Sequence, residues 1–328
     1  MELLIQPLNR MLHVSPGANL LDVLRENQVP ISYSCMAGRC GTCRCRIVEG
    51  EVLESGQEEL RPLSGQAQYV FACQTWLTES CVIEIPEPDE IIVHPARILK
   101  ASVIAVESLA PDIRRLRLKP GKPLQYSPGQ YANLQFAAGM VRPYSMAGTC
   151  EDDELEFHVR IVPGGRAGNH IAAGLRPGDA VRVSGPLGSA YLRCRHEGPM
   201  LCVAGGTGLA PVLSIVRGAL AAGMRNPIHL YLGVRSSRDL YGMQWLAPLQ
   251  RDHGNLHVQI VANDSKGISE ARRGLVTEAI AEDWRDLTGW RAYLCGSPPM
   301  VEATSLLVRQ RGIRLEHVHA DAFYAAST

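Results

Sequence analysis

Five of the ten cysteines in this 328-residue chain lie between positions 35 and 73, in a pattern that few folds accommodate. Cys35, Cys40 and Cys43 are spaced C-x4-C-x2-C within SYSCMAGRCGTCRCRIVEG, and Cys73 follows 29 residues later in YVFACQT. One loop must therefore present three thiolates while a distant segment supplies the fourth. The residues between the thiolates are small (Ala37, Gly38, Gly41 and Thr42), which lets backbone N–H groups approach the sulfurs and offset their negative charge. Structural zinc sites pair two short C-x2–4-C knuckles instead, so zinc fits less well. The spacing matches four-cysteine ligation of a [2Fe–2S] cluster. Cys45 alternates with Cys43 on the strand leaving the loop and reads as a small core residue. Cys81, Cys150, Cys194 and Cys202 are expected to be buried in the same way.

Ten cysteines are too few for a disulfide scaffold of this length. The opening MELLIQPLNRMLHV has neither a basic n-region nor a long apolar h-region, so clustered thiols point to redox or metal chemistry in the cytoplasm. Composition is that of a globular chain, 46% hydrophobic and 20% charged, which excludes disorder and coiled coil. The formal net charge is zero, which speaks against a nucleic-acid partner, but that zero is a sum of unlike parts. Residues 1–92 hold six Arg, no Lys and thirteen acidic groups, a net of −7, whereas 93–195 hold 14 basic and 8 acidic groups, a net of +6. Successive modules with different surfaces are expected. Residues 198–224 carry a single charge, Arg217, yet the GGTGLAP within them would break a spanning helix. A buried strand, a glycine turn and a buried helix are expected there, with no membrane partner.

The patterning divides the chain into three parts. In the first, Leu3–Ile5 and Met11–Val14 read as a strand pair, Asn19–Glu26 as a short amphipathic helix and Cys81–Ile85 as an edge strand. The Pro-rich acidic stretch Pro86–Arg97 reads as a linker. In the second part, short strands are expected at Arg97–Ser108, Arg114–Leu118, Tyr131–Phe136, Leu155–Val162 and Ala180–Ser184. Leu155, Phe157, Val159 and Ile161 alternate as a half-buried strand should. Short strands without intervening helices suggest an antiparallel barrel. From Pro199 strands and helices alternate. Strands are expected at Met200–Ala204, Ile228–Val234, Val258–Ala262, Ala292–Cys295 and Val318–Ala320, and helices at Pro211–Ala222, Tyr241–Gln250, Leu275–Glu282 and Met300–Arg311. That alternation predicts a parallel α/β sheet with helices on both faces. In it, Gly205-Gly206-Thr207-Gly208-Leu-Ala-Pro211 forms a glycine turn that opens a helix, where amides and helix dipole suit a pyrophosphate.

Residues 1–90 resemble a plant-type ferredoxin module of β-grasp fold, although Met36 follows the first cysteine where many such ferredoxins have Arg. The remaining motifs resemble the ferredoxin–NADP reductase superfamily. These are Arg142-Pro-Tyr144-Ser145, Pro163-Gly-Gly165-Arg166, the glycine turn ending at Pro211, and Cys295-Gly296-Ser-Pro-Pro-Met300. The resemblance implies a Greek-key antiparallel barrel over 94–195 that binds FAD and a nucleotide-binding α/β domain over 198–328. It implies that Arg142 binds the flavin pyrophosphate, that Tyr144 stacks on the isoalloxazine and that the Ser145 hydroxyl lies near flavin N5. A guanidinium and a phenol ring suit those roles. Gly165, Arg166 and Gly168 would hold phosphate, with Gly168 standing where the superfamily usually has Ser or Thr. Backbone amides at 166–168 and the helix start at Asn169–Ala173 would then carry more of the anion. Gly185-Pro-Leu-Gly188 fits either a flavin-adjacent element or a plain turn closing the barrel.

For the nucleotide, the resemblance implicates Gly206, Thr207, Gly208, Pro211, Cys295 and Gly296. Cys295 would lie near the nicotinamide or be a strand-end core residue, and Phe323, with Tyr324, would cover the flavin ring where the nicotinamide enters or form a hydrophobic C-terminal anchor. Ser145, Cys295 and Phe323 are thus the candidate catalytic residues. No acidic residue directly ends the second strand of this part, and Arg235 or Arg238 could accept a 2′-phosphate. The stretch Gly233-Val-Arg235-Ser-Ser-Arg238-Asp239-Leu-Tyr241 also resembles the G-x-R-x-x-x-D-L-Y form of the superfamily's NADH users, which implies NADH with some tolerance of NADPH. Taken whole, the chain resembles the ferredoxin-reductase components of bacterial aromatic-ring-hydroxylating dioxygenases. That implies electron flow from NAD(P)H through FAD and the [2Fe–2S] cluster to a small [2Fe–2S] ferredoxin serving a terminal oxygenase, or directly to an oxygenase or di-iron hydroxylase.

Overall fold

The computed structural model describes residues 1–31, 33, 43–55, 68–85, 92 and 94–324, and the chain divides into two compact units, Met1–Ile91 and Ile92–Thr328. The first unit contains β1 (Glu2–Gln6), β2 (Arg10–His13), α1 (Leu20–Glu26), β3 (Arg44–Glu49), β4 (Val52–Glu54), β5 (Gln68–Phe71), β6 (Thr75–Leu77) and β7 (Cys81–Glu84). Five strands form a mixed sheet in the order β2-β1-β7-β3-β5, with β1 and β7 parallel, as in a β-grasp. Helix α1 starts where the Asn19 side chain accepts from the amides of Leu21 and Asp22 at 3.1 and 3.2 Å. It buries Leu20, Leu21, Val23 and Leu24 in the core that also takes Ile5, Ile47 and Ile83. β7 is not the expected edge strand, because it lies between β1 and β3. Alternation reports which face is buried and says nothing about neighbours in the sheet.

The second unit begins with an antiparallel sheet. Its strands are β8 (Arg97–Ala110), β9 (Ile113–Pro120), β10 (Tyr131–Ala137), β11 (Met140–Ser145), β12 (Leu155–Arg160) and β13 (Ala180–Leu187), with helix α2 (Arg166–Asn169) between the last two. They are ordered β11-β10-β13-β8-β9-β12, and an isolated bridge between Met146 and Phe157 joins the two edges into a barrel wall. Val103, Leu116, Leu118, Phe157 and Val159 fill its interior. The expected linker is shorter at its C-terminal end. The Ile92 amide donates to the Tyr191 hydroxyl at 3.1 Å and His94 bonds Ser127, so both residues are part of this unit, while 86–91 and 93 lie outside the described residues. β11, which carries the RPYS motif, is a strand that hydropathy missed, because five of its six residues, a proline among them, are exposed or half-exposed.

The unit continues with β14 (Met200–Gly205), α3 (Leu209–Ala221), β15 (Ile228–Val234), α4 (Met243–Asp252), β16 (Leu256–Ala262), β17 (Arg272–Arg273), α5 (Val276–Asp283), β18 (Arg291–Gly296), α6 (Pro298–Gln310) and β19 (Val318–Ala322). The strands are all parallel, in the order β17-β16-β15-β14-β18-β19, so the winding direction reverses between β14 and β18. Residues of α3 and α4 fill the core on one face, and residues of α5 and α6 fill the other. That double covering explains why β18 is buried throughout. Two cysteines depart from expectation: Cys194 is exposed and Cys150 half-buried, whereas Cys45, Cys81 and Cys202 are core residues. No helix among the described residues is long and apolar enough to cross a membrane.

Candidate functional site

In the first unit Cys43 and Cys73 are buried close together, 2% and 7% exposed, and the Ala72 amide donates to the Cys43 carbonyl at 2.9 Å. A short 3-10 turn, Ala72–Gln74, presents Cys73, and the Asn19 amide holds its carbonyl at 3.3 Å. The Gln74 side chain comes within 3.8 Å of the Cys73 sulfur, the kind of donor that a thiolate ligand uses. Cys35 and Cys40 lie outside the described residues. Among the described residues, no such donor approaches the sulfur of Cys45 or Cys81. Burial pushes their thiols up to about 12 and about 11, so they behave as apolar filling.

On the barrel, Arg142 and Tyr144 share one face of the edge strand β11, while Ser145 points to the other. The Phe136 ring meets Tyr144 edge-on at 6.4 Å and His170 at 6.0 Å. This brings the RPYS strand and the segment after Gly165 to one wall. Burial pushes the Tyr144 phenol up to about 12, despite the opposing charge of Arg142, leaving a neutral flat ring. The helical segment starts at Arg166, earlier than expected, and its first backbone bond runs from Asn169 N to Gly165 O at 3.0 Å. The amides of Arg166, Ala167 and Gly168 therefore have no intrahelical acceptor. With the exposed guanidiniums of Arg142 and Arg166, they form a donor set that fits a flavin dinucleotide. A Cβ at Gly168 would meet the Arg160 carbonyl oxygen and Ile161 Cα at 3.4 Å, an ordinary contact. Gly188 has φ +93°, and a Cβ there would press on the Tyr131 ring at 2.9 Å, so this position serves the turn.

Ser145 has a partner that sequence gave no hint of. Its hydroxyl donates to Asp321 Oδ2 at 3.0 Å, across 176 residues. Asp321 lies on β19 opposite Cys295 on β18. It keeps some accessible surface, but the surrounding protein is dense enough that burial pushes its carboxyl up to about 6, against the Ser145 hydrogen bond. Cys295 itself is 1% exposed, and burial holds its thiol well above the usual range.

The strand ends of the parallel sheet enclose a cavity of about 370 Å³ at the β14/β18 reversal, lined by Gly206, Thr207, Arg235, Asp239, Met300 and Phe323 among others. Gly206 has φ +56°, and a Cβ on it would lie 2.5 Å from Arg160 Nη2. A Cβ on Gly208 would collide with the Cys295 carbonyl, and one on Gly296, at φ +145°, would meet the Gly205 carbonyl at 2.9 Å. These glycines let the two strand ends close against each other. Pro211 occupies the first turn of α3, where no amide is needed. The Phe323 amide donates to the Gly296 carbonyl at 2.8 Å and places the ring on the cavity wall. Tyr324 turns away, to Glu302 at 3.0 Å. The expected aromatic pair is therefore split between two tasks.

One further lining residue escaped the sequence. Arg160 comes from barrel strand β12 and reaches the glycine turn, which linear order cannot reveal. Asp239 folds back through a capping turn. It accepts from Arg235 at 2.6 Å and from the Ser236 hydroxyl at 3.0 Å, so an acidic group does stand at the end of β15. Arg238 is exposed and does not line the cavity.

Comparison with known proteins agrees with this division. A 2Fe-2S iron-sulfur cluster binding domain matches residues 3–78, an oxidoreductase FAD-binding domain 100–191 and an oxidoreductase NAD-binding domain 202–306. The reductase component of the naphthalene 1,2-dioxygenase/salicylate 5-hydroxylase systems of Ralstonia sp is 58% identical over 324 residues, covering 99% of each chain. The reductase component of the naphthalene 1,2-dioxygenase system of Pseudomonas putida is 57% identical over the same length, again covering 99% of each chain. The crystal structure of the Amycolatopsis cytochrome P450 reductase GcoB superposes with a TM-score of 0.75 at 34% identity, covering 99% of each chain. The chain belongs to the family of ferredoxin–NAD(P)+ reductase components, in which a 2Fe-2S domain, an FAD-binding domain and an NAD-binding domain follow one another along one polypeptide.

Proposed function

We propose that this chain is the reductase component of a multicomponent aromatic-ring-hydroxylating dioxygenase of the naphthalene 1,2-dioxygenase type. It would pass electrons from NAD(P)H through FAD and its [2Fe–2S] cluster to a small ferredoxin, and the same reductase can serve a salicylate hydroxylase. The observation that carries this reading is identity of 58% along 99% of a reductase component that belongs to the naphthalene 1,2-dioxygenase/salicylate 5-hydroxylase systems. Residues 1–90 would hold the cluster through Cys35, Cys40, Cys43 and Cys73, 94–195 the FAD and 198–328 the nicotinamide nucleotide. Unbridged buried thiols such as Cys45, Cys202 and Cys295 support a reducing, cytoplasmic setting.

When bound, FAD supplies the conversion of one hydride donor into two single-electron transfers, which the cluster passes on. The chain's own residues prepare that exchange. Arg142, Arg166 and the amides at 166–168 would hold the pyrophosphate, and the Tyr144 ring offers a face to the isoalloxazine. The Ser145 hydroxyl is aimed by Asp321, whose Oδ2 accepts its hydrogen. Below about pH 6 the Asp321 carboxyl also holds a proton of its own. On the nucleotide side, Gly206, Thr207 and Gly208 would meet the pyrophosphate together with Arg160. Cys295, Gly296 and Phe323 would frame the nicotinamide end, and Pro211 sits in the first turn of α3, whose dipole would point at the phosphates. Asp239 already engages the Arg235 guanidinium and Asp112 lies 3.9 Å from it, so a 2′-phosphate would have to displace paired carboxylates. That favours NADH over NADPH.

The test is reconstitution of the purified chain with NADH, a naphthalene dioxygenase-type oxygenase and its ferredoxin. Ring dihydroxylation is expected only when the ferredoxin is present. Equal turnover without ferredoxin would instead make this a reductase that feeds its oxygenase directly. Arg142→Ala should release FAD on gel filtration, and undiminished retention would remove Arg142 from the flavin site.

A further inference from the structure

Strand β12 was expected to have one buried and one exposed face, but five of its six residues are buried. Leu155, Phe157 and Val159 fill the barrel. The opposite face, Glu156 and His158, packs against the nucleotide-binding half of the same unit, where the Trp245 ring of α4 stacks on His158 at 5.3 Å and 12°. His158 is 4% exposed, Glu156 8% and Tyr241 5%, and each of these polar groups is engaged. His158 Nε2 lies 3.0 Å from Glu156 Oε1, and Nδ1 lies 3.1 Å from the Tyr241 hydroxyl. Arg115 holds Glu156 from the barrel side at 2.6 Å. The Tyr241 hydroxyl has a single hydrogen and stands 3.1 Å from the Gly206 carbonyl; with His158 Nε2 donating to Glu156, it shares that hydrogen between the Gly206 oxygen and His158 Nδ1.

Burying an imidazole, a carboxylate and a phenol in one interface is costly unless each satisfies another, and an apolar patch would fill the same space more cheaply. The direction of the chain indicates what the cost secures. It begins on the barrel and ends on the backbone oxygen of Gly206, a left-handed residue of the glycine turn that lines the nucleotide cavity. We propose that Glu156, His158 and Tyr241 form a relay that fixes the Gly206 peptide in its nucleotide-receiving orientation. His158 and Tyr241 are positioning residues for NADH, and the barrel thereby presets the turn of the neighbouring sheet. This rests on the assignment of the cavity to the nicotinamide nucleotide.

The experiment measures KM for NADH and kcat, with ferricyanide as acceptor, for the FAD-loaded full chain and for Tyr241→Phe, His158→Gln and the double variant. Tyr241→Phe deletes a single oxygen and is the decisive variant. It is expected to raise KM about three- to tenfold, the equivalent of one hydrogen bond, with kcat retained. The double variant should be no worse than the more affected single one, because both break the same relay. An unchanged KM in Tyr241→Phe overturns the proposal, as does a double variant whose effects multiply. If NADH fails to reduce the wild-type flavin, the cavity assignment falls and the relay with it. If wild type is reduced normally and Tyr241→Phe matches it, only the relay falls.

Discussion

The unit Met1–Ile91 and the barrel-and-sheet unit that follows assemble their reactive groups in different ways. In the first, the Cys73 segment returns to Cys43 through the Ala72 amide, which donates to the Cys43 carbonyl at 2.9 Å, and the cysteine spacing itself marks out both segments. In the second, each key side chain finds its partner far along the chain: Ser145 meets Asp321 across 176 residues, and His158 meets Tyr241 across 83. Metal ligation requires particular side chains, three of them here on one loop, so it is legible as a motif even though the fourth ligand comes from a distant segment. Nucleotide binding uses backbone amides and carbonyls, which any residue carries, and the side chains that orient them come from wherever the topology delivers them.

The largest effect that tests this contrast is removal of one sulfur. Cys73→Ser should abolish the iron–sulfur absorbance and electron delivery to a protein acceptor, while the flavin is still reduced by NADH. Cys45→Ala should keep the iron–sulfur absorbance intact. Loss of the cluster in Cys45→Ala would show that ligation is less local than its spacing indicates.

The next effect lies in the second unit. Asp321→Asn should slow flavin reduction by NADH about ten- to hundredfold in stopped-flow, the rate equivalent of a hydrogen bond to a charged group. The same variant should be more stable than wild type at pH 8. The folded-state pKa of Asp321, about 6, lies above its ordinary 3.8. Its favourable contribution is therefore present below about pH 4 and is lost as pH rises through about 6. A gain of about 1–3 kcal/mol at pH 8 that vanishes near pH 4 is expected from denaturant melts. A rate unchanged from wild type would return Ser145 to a purely structural role.

Glu156 has the opposite sign. Burial raises its carboxyl, but hydrogen bonds from His158 and Arg115 more than offset this and hold it at about 2, below the ordinary 4.5. Its stabilisation is present above pH 4.5 and lost as pH falls through about 2. Glu156→Gln should cost about 1–3 kcal/mol at neutral pH, a gap that closes on acidification. A gap independent of pH would mean that packing, not charge, sets the cost.

The smallest effect concerns Gly168, where a Cβ meets only ordinary contacts. Gly168→Ser should fold normally and slow FAD dissociation by up to about tenfold, one neutral hydrogen bond's worth. Faster FAD loss would show that the cradle depends on the absence of a side chain.

Periodicity sufficed for the three modules and most of their strands, because burial on one face or two leaves a period in the sequence. It failed at β7, whose alternation hides its central place, and at β12, whose second face is covered by α4 rather than by solvent. The glycine turn and the four cysteines were legible as motifs. Asp321 and Arg160 were not, because their roles arise from a neighbouring strand and another sheet.

The central claim is that one polypeptide conducts electrons from a nicotinamide to an iron–sulfur cluster. Anaerobic titration of the purified full chain with NADH, followed by absorbance and by electron paramagnetic resonance, tests it directly. Bleaching of the flavin bands with the appearance of a reduced [2Fe–2S] signal is the predicted result. A flavin that bleaches while the cluster stays oxidised, or a purified chain without flavin, would contradict it.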